Sequence, residues 1–235
     1  LVLYLLLLEQ VVDHSMLSYC IIRFMANYIT IAPNNFFWEQ TIKKSRFILN
    51  IARINSEEEA RLFIDQISTA HNKANHNVFA YTLGDNDQIK RYSDNGEPSG
   101  TAGIPMLEVL QKNDLHDVVA VVTRYFGGIK LGAGGLIRAY AGTVADGVKA
   151  AGLVSRLTRL KITITIDYKN SDLLTYWLTK HDYHIIDTQY DTAVHIIVPV
   201  SSDAIPKFQL ALRDLLAGQA TFKIGEETFF EIPVK

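Results

Sequence analysis

The chain has 235 residues, of which 48% are hydrophobic, and a formal net charge of -2 at pH 7. This length and composition are typical of a globular protein with one large or two smaller domains. With 23 basic and 25 acidic residues in near balance, the sequence excludes a broadly basic nucleic-acid-binding surface. A single cysteine, Cys20, excludes an internal disulfide and a cysteine-based zinc cluster.

The N-terminal segment, residues 1–24, begins with the apolar run LVLYLLLL. This run is too short to span a bilayer, and it lacks the basic start of a signal peptide. We expect residues 1–24 to be an extension outside the fold, with a membrane-surface helix as the alternative. Because no feature indicates an oxidising compartment, the sequence predicts a cytoplasmic protein without a membrane partner.

The first predicted elements are a strand over residues 43–54 and a helix over residues 57–71. Ser56 followed by three glutamates is a typical helix N-terminus. Alternating apolar residues then predict strands over residues 76–84 and 89–94, with a turn at residues 84–86. His76 begins the first of these two strands, where a histidine is more often structural than catalytic.

The segment DNGEPSGTAGIP, residues 94–105, precedes a predicted helix over residues 106–112. Turn chemistry explains most of it: Asp94 favours an Asx-turn, Ser99 or Thr101 is a candidate helix cap, and proline suits a first helical turn. Glu97 is the residue that this chemistry explains least. Beside a basic loop its carboxylate is a candidate general base, metal ligand or ion-pair partner of Arg124, of which the last is the commonest.

A buried strand is predicted over residues 118–122, covered on both faces, and a helix over residues 136–151. The loop between them contains Gly127, Gly128, Gly132, Gly134 and Gly135. Glycines at a helix N-terminus allow backbone N–H groups to converge on an anion, and Lys130 and Arg138 add positive charge. The sequence therefore predicts an anion site in this loop.

The loop matches neither of two standard nucleotide-binding motifs. A Walker loop requires Gly-Lys followed by Ser or Thr, which the chain lacks, and Ile137 stands where a dinucleotide fingerprint requires Gly or Ala. Glycines also occur at such a turn where a helix only packs closely on a sheet, and this interpretation stays open.

The C-terminal part of the chain repeats a complete pattern of strands and helices, βαββαβ, after a boundary near residues 156–159. This order predicts a ferredoxin-like domain with a four-stranded antiparallel sheet. His181, His184 and His195 lack the spacing of metal ligands, so no metal site is predicted.

The two segments DNGEPSGTAGIPML and VVTRYFGGIKLGAGGLIRAY together resemble the double signature of the IMPACT/YigZ family. The strand that begins at His76 resembles the histidine-containing strand of that family. The resemblance implies an α+β protein of two domains. Residues 25–157 would form an IMPACT-type α/β sandwich resembling domain four of elongation factor G, and residues 158–235 the ferredoxin-like C-terminal domain of the bacterial members.

The resemblance also implies which residues form the site. By position, the motif residues are Asp94, Gly96, Glu97, Pro98, Gly100, Thr101, Gly103, Pro105, Arg124, Tyr125, Gly127, Gly128, Gly132, Gly134, Gly135 and Tyr140. Their concentration in two loops predicts a shared surface pocket. To this pocket we assign His76, Asp94, Gly96, Glu97, Pro98, Gly100 and Thr101, and from the glycine-rich loop Arg124, Tyr125, Gly127, Gly128, Lys130, Gly132, Gly134, Gly135 and Arg138.

Eukaryotic members of the family are translational regulators in amino-acid starvation signalling, and the resemblance implies no established reaction and no cofactor. We therefore expect a non-enzymatic protein that contacts RNA, the ribosome or a ribosome-associated protein through the glycine-rich loop. One alternative is a hydrolase acting on a phosphorylated or peptide substrate through Glu97 or Asp94 with Arg124. It lacks a nucleophile, since Ser99 and Thr101 have no base beside them in the sequence. Another alternative is a purely protein-binding regulator.

Overall fold

The computed structural model of the chain describes residues 27–84 and 88–234. Its first part contains β1 (Tyr28–Ile31), β2 (Asn35–Ile42), β3 (Ser45–Arg53), α1 (Glu57–Ala70), β4 (His76–Leu83), β5 (Ile89–Ser93), α2 (Gly103–Lys112), β6 (Val118–Tyr125) and α3 (Ala133–Ala151). Its second part contains β7 (Leu153–Ile166), α4 (Ser171–Lys180), β8 (Asp187–Tyr190), β9 (Val194–Val200), α5 (Ile205–Leu215) and β10 (Ala220–Pro233). The predicted extension at residues 1–24 and most of the predicted turn at residues 84–86 lie outside the described residues.

The N-terminal part is an antiparallel sheet in the order β2-β3-β6-β4-β5 with helices on both faces. Helices α2 and α3 cover one face through a core that includes Phe47, Met106 and Tyr140. Helix α1 covers the other face through a smaller cluster around Ala60 and Tyr81. The central strand β6 is buried from residue 118 to residue 124, which confirms the prediction of a strand covered on both faces.

The C-terminal part has the ferredoxin-like arrangement that the sequence predicts. Its strands lie in the order β10-β7-β9-β8, so the fourth strand of the βαββαβ unit lies beside the first, and all neighbours are antiparallel. Helices α4 and α5 cover the sheet through a core that includes Ile164, Leu178 and Phe208. No helix in the described parts of the chain is long and apolar enough to cross a membrane.

Strand β7 connects the two parts of the chain. Residues 153–156 pair with β1, residues 160–166 pair with β9, and β10 pairs along the opposite edge. Arg53 of β3 forms a salt bridge of 2.6 Å with Glu231 of β10, and the guanidinium of Arg156 lies 4.1 Å from the ring centroid of Phe229. The predicted boundary between residues 157 and 158 thus falls inside a continuous strand. The division into residues 25–157 and 158–235 stays a prediction.

Candidate functional site

The two motif loops meet at one cavity with a volume of about 380 Å³. The predicted site residues that line it are His76, Glu97, Pro98, Arg124, Lys130 and Gly132. The sequence did not single out the others, which are Asn75, Phe126, Leu131, Ala133 and Leu136. Because exposed aromatic residues are frequent in binding sites, Phe126 is the one of these that its position before the glycines could identify from the sequence.

Strand pairing places Arg124 and His76 at the cavity. Arg124 on β6 lies opposite His76 on β4 in the antiparallel register. Just before β4, the backbone N–H of Asn75 donates to the carbonyl of Arg124 at 3.0 Å. The side-chain carbonyl of Asn75 in turn accepts from the backbone N–H of Phe126 at 2.8 Å. Asn75 therefore fixes the point where the chain leaves β6 for the glycine-rich loop.

A buried ion pair forms the floor of the cavity. Arg124 Nη1 donates to Glu97 Oε1 at 2.6 Å, and the two side chains are only 6% and 3% exposed. The hydroxyl of Tyr140 on α3 donates to the same oxygen at 2.8 Å. Of the three roles considered for Glu97, the ion pair with Arg124 is thus present in the structure. Burial, followed by the charge of Glu97, raises the pKa of Tyr140 far above its ordinary value, so its hydroxyl remains a donor.

The second carboxylate oxygen of Glu97, Oε2, accepts no hydrogen bond from the other described residues of this cluster. Oε2 has no hydrogen-bond partner within the described residues, while Oε1 also lies 3.8 Å from His76 Nε2. His76 Nδ1 lies 2.8 Å from the carbonyl oxygen of Asn95, which only accepts, so the neutral ring carries its proton on Nδ1. The cavity therefore combines a free carboxylate oxygen with an imidazole.

Arg124 is held from its other side by β3 and by two aromatic rings. Its Nη2 lies 3.4 Å from Ser45 Oγ, which also accepts from the backbone N–H of Gly127 at 3.2 Å. The guanidinium carbon lies 5.4 Å from the ring centroid of Phe47 and 5.5 Å from that of Phe126. Arg124 Nε is buried without a hydrogen-bond partner among the described residues. A buried donor left in this way is costly, which is more typical of a functional site than of a purely structural one.

Two positions of the loop require glycine, each for a different structural reason. A Cβ atom on Gly127 would lie 1.9 Å from the carbonyl oxygen of Lys44, so this position must be glycine for β3 and the loop to approach each other. Gly132 is the N-cap of α3 with φ of 72°, a backbone conformation that favours glycine. Since it has no side chain to cap the helix, the first backbone N–H groups of α3 are left for another partner at the cavity.

The remaining residues of the second motif build the loop instead of lining the cavity. The carboxylate of Asp94 accepts from the backbone N–H groups of Gly100, Ala102 and Gly103 at 2.8, 3.1 and 2.8 Å. Asp94 is therefore the cap of α2. The expectation that Ser99 or Thr101 caps this helix was wrong, because the Thr101 hydroxyl donates instead to the carbonyl of Pro98 at 2.6 Å.

Several predicted residues of the glycine-rich loop also lie outside the cavity wall. Tyr125 makes a hydrogen bond of 3.0 Å through its hydroxyl with His71 Nδ1, away from the cavity. Arg138 is exposed on α3 beside Gly134, and of the two added basic residues only Lys130 borders the cavity. The predicted residues that do not line it are Asp94, Gly96, Gly100, Thr101, Tyr125, Gly127, Gly128, Gly134, Gly135 and Arg138.

The donor set of the cavity suits a polar organic ligand more than a metal ion. Among the described residues, no group of three or more His, Cys, Asp or Glu side chains is placed to hold a metal. The wall instead joins a helix N-terminus, a lysine and a carboxylate with apolar side chains. Such a mixture of apolar walls and a few polar groups is typical of small-ligand sites.

Fold and site together define a two-domain α+β protein with a buried Arg–Glu pair beneath a cavity. The family model of the Impact N-terminal domain matches residues 43–148, and that of a domain of unknown function, DUF1949, matches residues 164–219. IMPACT family member YvyE of Bacillus subtilis is 42% identical over 193 residues, which cover 82% of this chain and 89% of the relative. This chain belongs to the IMPACT family.

Other comparisons agree with that membership. IMPACT family member YigZ of Escherichia coli is 33% identical over 190 residues, 80% of this chain and 93% of the relative. A crystal structure of a hypothetical protein is 31% identical and has a TM-score of 0.55, with 86% of this chain and 98% of that chain covered. These matches span both domains, so the two-domain architecture is shared with the relatives.

Proposed function

We propose that this chain is a translation-associated, non-enzymatic binding protein that contacts RNA through the cavity between its two motif loops. In this proposal an RNA phosphate lies between Lys130 and the N-terminus of α3. The observation that carries it is that Lys130, Gly132 and Ala133 border the same cavity as His76 and Arg124. Backbone N–H groups at a helix N-terminus, together with a nearby cation, favour a phosphate.

Membership of the family supports the link to translation. Proteins named IMPACT homologs in Dictyostelium discoideum and Saccharomyces cerevisiae are 40% and 33% identical to this chain over 96 and 95 residues. The resemblance noted from the motifs implies that eukaryotic members regulate translation. An RNA or ribosome partner would place this protein in the cytoplasm.

The lining of the cavity supports binding over covalent catalysis. The eleven lining residues include no serine, threonine or cysteine, so a nucleophile of the usual kind is missing from the described wall. Near balance of charge over the whole chain indicates that the RNA contact is local, with few phosphates involved. Hydrolysis by a water activated at Glu97 or His76 is the competing function.

The test compares two lysine variants on one fold. Lys130→Ala removes the exposed cation at the cavity, in the loop before α3, and Lys149→Ala removes an exposed cation on the last turn of α3. Fluorescence anisotropy with a labelled single-stranded RNA, repeated at several KCl concentrations, measures the affinity and its salt slope. We expect Lys130→Ala to weaken binding about fivefold and to lower the salt slope by about 0.7, with Lys149→Ala unchanged.

Three results would contradict this proposal. Equal RNA affinity of the two lysine variants would remove the phosphate contact. Ribosome association that survives ribonuclease treatment and is equal in both variants would favour the purely protein-binding regulator. Hydrolysis of a phosphorylated substrate that is lost in Glu97→Gln would favour the enzyme.

A further inference from the structure

We infer that the cavity holds a single unpaired guanine nucleotide, with Glu97 reading the edge of the base and Phe126 stacking on its ring. This inference rests on the proposed function, because the phosphate of the same nucleotide would lie at Lys130 and the start of α3. The cavity, at about 380 Å³, has the size of a small-ligand site.

The first step concerns the carboxylate. The side chain of Glu97 is only 3% exposed, and its Oε1 accepts hydrogen bonds from Arg124 and Tyr140. Oε2 has no partner within the described residues, although Glu97 lines the cavity. Oε2 therefore keeps its capacity to accept at the cavity wall, and a ligand that donates an N–H or O–H to it forms a charge-assisted hydrogen bond there.

The second step decides between a charged and a neutral donor. Arg124 and Lys130 border the same cavity together with the positive end of the α3 dipole. A cationic ligand group, such as an arginine of a partner protein, would meet this positive field. A neutral N–H donor avoids the repulsion and still satisfies Oε2.

The third step concerns the shape of the donor. Phe126 is 45% exposed and lines the cavity, and the guanidinium of Arg124 lies 5.5 Å from its ring centroid. An exposed aromatic ring beside a buried arginine forms a stacking platform for a planar base. A nucleobase therefore fits both Phe126 and Oε2, and its phosphate fits Lys130.

The fourth step selects the base. Guanine presents two adjacent donors on its Watson–Crick edge, N1–H and the 2-amino group. Adenine and cytosine place a ring-nitrogen acceptor beside the amino group, and uracil places its N3–H between two carbonyls. Because a carboxylate repels neighbouring acceptors, guanine is the base that Glu97 would favour, and single-stranded RNA offers its edge for reading.

The experiment first uses free nucleotides and the whole chain. Isothermal titration with guanosine, inosine and uridine 5′-monophosphates tests the base, because inosine keeps N1–H but lacks the 2-amino group. We expect the order guanosine, inosine, uridine. Phe126→Leu should weaken guanosine monophosphate binding about tenfold, whereas Phe37→Leu, at a 55% exposed phenylalanine on β2, should not change it.

The second arm separates free nucleotide from RNA as the source. It compares a uridine pentamer with one that carries a single central guanosine, using the same variants. Preference for guanine in either arm supports the site, and preference only in the pentamer identifies RNA as the source. Equal binding of guanine and uracil ligands in both arms, or equal effects of Phe126→Leu and Phe37→Leu, would overturn the inference. If Lys130→Ala still weakens RNA binding in that case, the proposed function stands without it.

Discussion

Arg124 and Glu97 show what a single pair of residues does in this fold. A buried ion pair contributes little to stability overall, because the desolvation of both charges offsets their attraction. Removal of one partner lowers the stability of the fold, since the other charge then stays buried and unpaired. The pair holds Glu97 at the floor of the cavity through Oε1 and leaves Oε2 for a ligand.

Glu97→Ala should lower the free energy of unfolding by about 3 to 5 kcal/mol, because it leaves the guanidinium of Arg124 buried without its carboxylate. Urea unfolding followed by circular dichroism measures this change. The matched control is Glu39→Ala, which breaks a solvent-exposed pair with Arg46 and should have little effect. Equal destabilisation by the two variants would mean that the buried pair is not held as described.

The sequence predicted this ion pair but not the residues that surround it. An ion pair between Glu97 and Arg124 was predictable, because it is the commonest role of a carboxylate that lies beside a basic loop. Ser45 and Asn75 were not predictable. They reach Arg124 and Phe126 through strand pairing between distant parts of the chain, and no local pattern in the sequence shows that register.

At the scale of elements, local patterns predicted those helices and strands whose own residues decide them. Ser56 caps α1 as expected, since its hydroxyl accepts from the backbone N–H of Glu59 at 3.1 Å. Strands β1 and β2 were missed. β1 pairs with β7, far along the chain, and β2 is an edge strand in which half-buried and exposed residues alternate. Their existence depends on non-local partners, which propensity does not report.

The cap of α2 supplies the prediction at this scale. Asp94→Ala should lower the free energy of unfolding by about 1 to 2 kcal/mol, because the backbone N–H groups of Ala102 and Gly103 at the start of α2, and that of Gly100 in the loop before it, lose their acceptor. Ser99→Ala, at an exposed hydroxyl in the same loop, is the control and should change it little. Thermal unfolding of both variants gives the comparison. A larger loss for Ser99→Ala would restore the hydroxyl as the cap.

At the scale of the whole molecule, the sequence predicted both domains but not how they join. The sequence predicts the boundary near Arg156 to Arg159, because the pattern of strands and helices starts again after it. In the structure Arg156 lies on β7, where it donates to the hydroxyl of Tyr28 at 2.6 Å and stacks on Phe229. The charge of Arg156 is accommodated by partners from β1 and β10, so the predicted boundary falls inside a strand.

Glu231 tests this connection through its dependence on pH. The hydrogen bond from Arg53 holds the pKa of the Glu231 carboxyl below its ordinary value, although burial acts in the opposite direction. A carboxyl whose pKa is lowered by folding stabilises the folded state above its unfolded pKa. That contribution is lost as the pH falls through the folded pKa.

Glu231→Gln should therefore lower the melting temperature at pH 7, and the difference from the unchanged chain should shrink as the pH falls through the lowered pKa of the carboxyl, because a protonated Glu231 no longer forms the ion pair. Thermal unfolding at a series of pH values measures both effects. Glu227→Gln is the matched control, since Glu227 is exposed on the same strand and has no ion pair with any described residue. If the loss of melting temperature persists at low pH, Glu231 joins β10 to β3 by packing. If the loss equals that of Glu227→Gln, the salt bridge between Glu231 and Arg53 does not join the two strands.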